Sequence, residues 1–178
     1  MSRPGFLGPR RFVINVLGMD VMRRMCSFVT LDYPGARAIF GFRDMFKPDA
    51  GLKSWRTPLM VKGGLVYVRV GDGRSKWMAL VDTGSSSCVE VGRDIAERGG
   101  LRQGVALPQI FRVGVGTSNS NAAVPVAGIR SLELLGPTLL NVPAVLVPDS
   151  PKIGSGLLRR FRVTLDFRRS LLWLESSR

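Results

Sequence analysis

The stretch Ala79-Leu80-Val81-Asp82-Thr83-Gly84-Ser85-Ser86 runs from three apolar residues straight onto a carboxylate, a hydroxyl and a glycine. Three apolar residues fit a buried strand, so Asp82 is the first group able to meet solvent or substrate, at a defined, half-buried point. Gly84 is expected to permit a sharp backbone departure that a side chain would obstruct. Asp-Thr-Gly is also an ordinary strand-to-turn ending, so its meaning depends on what flanks it.

Upstream, Leu65-Val66-Tyr67-Val68-Arg69-Val70 alternates as a strand, Gly71-Asp72-Gly73 has turn chemistry, and strand character resumes from Lys76 to Val81. The spacing predicts a hairpin that delivers Asp82. Downstream, Val89 to Arg98 is expected to form a short helix closed by Gly99-Gly100. Extended pieces from Ile110 to Val115 and from Ala122 to Val126 flank Gly116-Thr117-Ser118-Asn119-Ser120-Asn121, a polar hairpin tip. Leu132-Glu133-Leu134 and Val142 to Val147 read as strands, and Lys152-Ile153-Gly154 leads into the amphipathic turn Leu157 to Phe161. Val163 to Phe167 and Leu171 to Leu174 close the chain as a β pair.

This order resembles the retropepsin-like aspartic proteases, the single-lobed family that includes retroviral proteases and bacterial relatives, over residues 58 to 175. Three elements carry the resemblance: the strand with Asp82-Thr83-Gly84, a glycine-bearing hairpin at the place of the family's flap, and the apolar-apolar-Gly element Ile153-Gly154 with Leu157-Leu158. Ser85 follows the triplet where many retroviral members have Ala. The resemblance implies an all-β fold, a closed or partly open acid-protease β-barrel lobe with one or two short helices. It implies an aspartic endopeptidase in which Asp82 is catalytic. Thr83, Gly84 and Ser85 would form the active-site loop, and Val115, Gly116 and Thr117 the flap over an extended peptide. Ile153 and Gly154 would be the supporting structural motif.

The N-terminus also repeats the C-terminus. Leu17-Gly18-Met19-Asp20-Val21-Met22-Arg23-Arg24-Met25 parallels Ile153-Gly154-Ser155-Gly156-Leu157-Leu158-Arg159-Arg160-Phe161, and Val29-Thr30-Leu31-Asp32-Tyr33 parallels Val163-Thr164-Leu165-Asp166-Phe167. Self-similarity takes precedence over local reading. Residues 1–45 are therefore expected to be the tail end of a second lobe, 46–57 a linker, and 58–178 the protease-like domain. Either the first lobe lies upstream of Met1, or the chain keeps a remnant as an N-terminal extension.

Composition narrows the chemistry further. No histidine is present, which removes Ser-His-Asp and Cys-His mechanisms and histidine-based zinc sites. Cys26 and Cys88 are too few for a thiolate cage; Cys88 is expected to be a buried thiol, with nothing local to suggest a disulfide. No cofactor and no metal is expected. The net charge of +13 invites nucleic acid as a partner, but the basic residues are spread along the chain without aromatic interleaving, which argues against it. No apolar run reaches the roughly 18 residues of a membrane span. Arg10-Arg11 precede an apolar run like a signal peptide, but Asp20 interrupts it and no small-residue cleavage site follows, so no compartment is assigned.

Hydrolysis of a peptide bond by this route needs two carboxylates facing one water, and one Asp82 per chain supplies half. The partner is expected to be a second lobe, through a homodimer or an intramolecular pairing, with peptide or protein as substrate. By the same resemblance, Thr83 would brace the two active-site loops. The competing reading is a catalytically inactive, protease-like peptide-binding or assembly module. Asp32 and Asp166 follow apolar strands in equivalent repeat positions but lack a following Thr-Gly or Ser-Gly, and each precedes an aromatic and a turn, so a hairpin-capping or solvent-facing role is expected of both.

Overall fold

The computed structural model describes residues 17–99, 102–103, 126–134, 136–147 and 151–176. The element order is α1 (Met19–Met25), β1 (Phe28–Asp32), β2 (Arg37–Gly41), β3 (Ser54–Lys62), β4 (Leu65–Gly71), β5 (Lys76–Asp82), β6 (Val89–Val91) and α2 (Arg93–Gly99). Then come β7 (Arg102–Gln103), β8 (Val126–Glu133), β9 (Thr138–Leu146), β10 (Lys152–Gly154), α3 (Ser155–Leu158), β11 (Phe161–Asp166) and β12 (Leu171–Ser176). The fold is all-β with a few short helices.

Alternation places the core. In β4, Val66, Val68 and Val70 are buried, and they pack with Ala79 of β5, Ile129 and Leu132 of β8, and Ile153 of β10. The strands lie in the order β2-β1-β11-β12-β3-β4-β5-β10-β6-β9-β8-β7. A further pairing of Gly71 with Glu133 joins β8 back to β4, so β4, β5, β10, β6, β9 and β8 form a partly closed barrel. The hairpin expected to deliver Asp82 is β4–β5, turning at Asp72, whose side chain accepts hydrogen bonds from the Arg74 and Ser75 amides at 2.9 and 2.7 Å.

One element differs from expectation. Val89-Glu90-Val91 is a strand, and the helix begins only after Gly92. Two β-branched residues at period two pack inside, and Glu90 is buried with a hydroxyl partner, so its charge does not mark a solvent face. The two cysteines are free; Cys26 is the buried one and Cys88 is half-buried.

Beyond β3 the sheet continues through β12 and β11 to β1 and β2. β1 pairs antiparallel with β11, with Val29 opposite Leu165, Thr30 opposite Thr164 and Leu31 opposite Val163. The Thr30 and Thr164 hydroxyls meet at 2.7 Å in the buried interior. The flanking hairpins match: Asp32 Oδ1 accepts from the Gly35 amide at 3.0 Å, and Asp166 Oδ1 from the Arg169 amide at 3.1 Å. Each turn ends on a left-handed residue, Ala36 at φ 48° and Ser170 at φ 53°. Phe46 packs between Phe28 and Trp173, at 5.4 and 5.7 Å between ring centres, fixing the connection into β3.

Candidate active site

β10 enters between β5 and β6, parallel to the first and antiparallel to the second, with Ile153 level with Val81 and Gly154 level with Asp82. The chain leaving Asp82 must therefore pass around the end of β10 to reach β6. Residues 83–88 make that passage, and β10 and α3 hold them. Gly154 N donates to Cys88 O at 3.1 Å, Ser155 N and Ser155 Oγ both donate to Ser85 O at 2.7 Å, and Gly156 N donates to Ser87 O at 3.1 Å. A Cβ on Gly154 would fall 2.2 Å from Ser87 O, and one on Gly156 2.5 Å from Ser86 O. The glycines are the condition for the loop to lie this close.

Asp82 Oδ1 accepts a hydrogen bond from the Gly84 amide at 3.0 Å, and the Ser85 amide donates to Asp82 O at 3.2 Å, so the carboxylate is oriented by its own turn. Gly84 does not adopt the left-handed conformation, and a Cβ there would sit 3.3 Å from Asp82 Oδ1. Its demand is for space beside the carboxylate rather than for an unusual φ. Thr83 and Gly84 are exposed, while Asp82 and Ser85 are half-buried.

Two charged residues that the sequence did not single out complete the constellation. Lys152 Nζ lies 3.8 Å from Asp82 Oδ2 and 3.7 Å from Glu90 Oε2, and Ser85 Oγ donates to Glu90 Oε1 at 2.7 Å. Lys152 adjoins the Ile153-Gly154 motif, but its link to Asp82 depends on the parallel β5–β10 register, which no local pattern carries. Asp82, Thr83, Gly84, Ser85, Ile153 and Gly154 thus meet in one place. Val115, Gly116 and Thr117 lie outside the described residues. Asp32 caps its hairpin and donates nothing to this site; Arg37 Nε holds it at 2.8 Å. Among the described residues no group of three or more His, Cys, Asp or Glu could hold a metal ion, and no helix is long and apolar enough to cross a membrane.

This fold has a counterpart among solved structures. A crystal structure of a retropepsin-like aspartic protease from Rickettsia conorii superposes with a TM-score of 0.50 at 20% sequence identity, covering 74% of this chain and 97% of that one. The fold is a retropepsin-like lobe. No protein-family model matches the sequence, and no curated protein matches it. The likeness therefore lies in the three-dimensional arrangement, and the retropepsin-like lobe is defined here by the β5–β10–β6 crossing and the loop it supports.

Proposed function

We propose that this chain supplies one half of an aspartic endopeptidase, with Asp82 as one of two carboxylates that activate a water against a peptide bond. The observation that carries this reading is the placement of Asp82: at the end of β5, oriented by its own turn, beside a glycine that leaves the approach open. One carboxylate, ionised, takes the proton of the water as it attacks the carbonyl carbon. The other, protonated, donates to the carbonyl oxygen; collapse of the tetrahedral species then returns a proton to the leaving nitrogen. Two acids about 3 Å apart share a single proton and titrate as a pair. Lys152, 3.8 Å from Asp82, attracts the remaining negative charge. Thr83, exposed in the single lobe, stands ready to brace a second loop through its hydroxyl. An extended peptide would bind across the site as an added strand.

A second reading has its own observation. In a symmetric homodimer a second copy's β11 would add beside β11, an isologous contact, but β1 already occupies that edge. Residues 17–41 then keep the partner surface filled, and the chain acts as a non-catalytic peptide-binding module.

Incubating a diverse peptide library at about pH 4 to 7 with the chain and with Asp82→Asn, while measuring oligomeric mass on the same samples, separates the two. The endopeptidase reading expects cleavage by the parent in an assembly containing two lobes, and at least about a thousandfold less by Asp82→Asn, the scale lost when a central catalytic group is removed. Peptide binding without cleavage by a folded monomer supports the module instead.

A further inference from the structure

β10 carries a cation where its sequence counterpart carries none. In the repeat, Ile153-Gly154 matches Leu17-Gly18, and the residue ahead of each is Lys152 in one copy and Val16 in the other. The element as such therefore does not call for an ammonium. The register says where this one goes: Lys152 is level with Leu80 and Gly154 with Asp82, so residues 80, 82, 152 and 154 share one face. Nζ ends 3.8 Å from Asp82 Oδ2 and 3.7 Å from Glu90 Oε2, with the Lys152 side chain 25% and the Asp82 side chain 31% exposed.

Both distances lie within ion-pair range and beyond hydrogen-bond reach. Three N–H donors are thus held by attraction beside the reacting acid, without a bond to either carboxylate. A lysine kept only to neutralise Glu90 would close that contact; Glu90 instead accepts a hydrogen bond from Ser85 Oγ at 2.7 Å. A peptide seated for attack brings its carbonyl carbon about 3–3.5 Å from the reacting oxygen. An extended chain advances about 3.3 Å per residue and turns alternate side chains to one face. A group 3.8 Å from Asp82 Oδ2 is therefore met by a side chain one or two residues from the scissile bond. The peptide strips water from the ammonium as it covers it. An acceptor oxygen replaces that water, an aliphatic side chain strands the donors, and a lysine or arginine brings a like charge.

We propose that Lys152 determines substrate preference: at one position beside the scissile bond it selects a side chain bearing an acceptor oxygen, a carboxylate or a carboxamide, against aliphatic and basic side chains. The inference rests on reading Asp82 as half of a catalytic pair and names the substrate class that pair would take. The net charge of +13 favours a carboxylate at long range. Asp82 and Glu90 oppose one at short range, so the acid and the amide are separate arms of the test.

Starting from the best-cleaved or best-bound member of a peptide library, matched peptides carry Asp, Glu, Asn, Gln, Leu or Lys at each position in turn. Their kcat/KM with the parent, and their binding to Asp82→Asn by fluorescence anisotropy, are compared with Lys152→Met, Lys152→Val and Lys152→Arg in both backgrounds. Circular dichroism checks the fold of each variant, and Lys152→Val, the residue of the other repeat copy, serves if Lys152→Met does not fold. At one position the parent is expected to prefer acceptor-bearing residues over Leu by at least about tenfold, the scale of a hydrogen bond to a charged group. Lys152→Arg keeps that preference, and Lys152→Met or Lys152→Val reverses it in favour of Leu. Asp and Glu ahead of Asn and Gln identify a carboxylate, and the opposite order a carboxamide. A parent without the preference, or a preference that survives loss of the ammonium, overturns the proposal; a lysine that only supports the fold lowers kcat/KM for every peptide alike. Selective binding to Asp82→Asn without cleavage by the parent upholds the role of Lys152 and removes the endopeptidase reading, whereas cleavage without preference does the reverse. A folded parent that neither cleaves nor binds any member overturns both.

Discussion

Asp82 has a charged neighbour that its sequence neighbourhood does not suggest. Lys152 bridges it to Glu90, whose side chain is only 6% exposed. Lys152→Met removes the ammonium from a buried carboxylate and leaves the Ser85 hydroxyl in place. The cost expected is about 1–3 kcal/mol, the scale for stripping a partner from a buried polar group, and nearer the lower end because Lys152 is a quarter exposed and its contacts are long. Urea denaturation of the variant measures it as a lower midpoint at unchanged slope. Asp32 makes a pH-dependent counterpart. Burial pushes its carboxyl up, but the Arg37 guanidinium and the Gly35 amide outweigh burial and hold it below the ordinary 3.8. A depressed carboxyl stabilises the fold above its unfolded value and loses that contribution as pH falls through the folded one. Asp32→Asn should therefore be less stable than the parent near neutrality and converge with it in acid; a gap that persists unchanged below about pH 2 would show that the Arg37 contact carries no protonation-linked stability.

At the scale of elements, what the sequence made legible were the pieces whose partners are local. The β4–β5 hairpin, the acid at its end and the β11–β12 pair follow from alternation and turn residues; of the two roles open to Asp32 and Asp166 the structure shows hairpin capping, and both are buried rather than facing solvent. Val89–Val91 is a strand where the sequence predicts helix: Glu90 is buried, and its burial depends on Ser85 and Lys152, both brought in by tertiary structure. The insertion of β10 between β5 and β6 is likewise a long-range fact, which no local pattern carries. The β1–β11 joint invites a double-mutant cycle. Thr30→Val or Thr164→Val alone strands a buried hydroxyl and should cost about 1–3 kcal/mol, while the double variant restores two matched apolar groups and should cost clearly less than the sum. Additive losses would mean that the hydroxyls do not act as a pair.

For the whole molecule, residues 17–41 are continuous with the sheet: β1 lies between β2 and β11, and Phe46 seals the connection against Phe28 and Trp173. Hydrogen exchange tests whether that continuity is energetic. The β1 amides facing β11 should exchange only through global unfolding, with the same protection and denaturant dependence as those of β11. Early exchange across β1 would make the segment a separately melting appendage.

The same joint has a consequence for which strand comes to lie beside β11. Val29-Thr30-Leu31 and Val163-Thr164-Leu165 are one tripeptide, paired about its own middle residue. The edge of β11 therefore offers nearly the same backbone ladder and the same central hydroxyl to its own β1, to the β1 of a neighbouring molecule, or to a neighbour's β11. Side-chain recognition distinguishes these only weakly; the tether does the rest, holding β1 at an effective concentration in the millimolar range for short linkers. Fidelity at this seam is a property of chain connectivity, and crowding the protein toward that concentration is the condition under which strands begin to change hands.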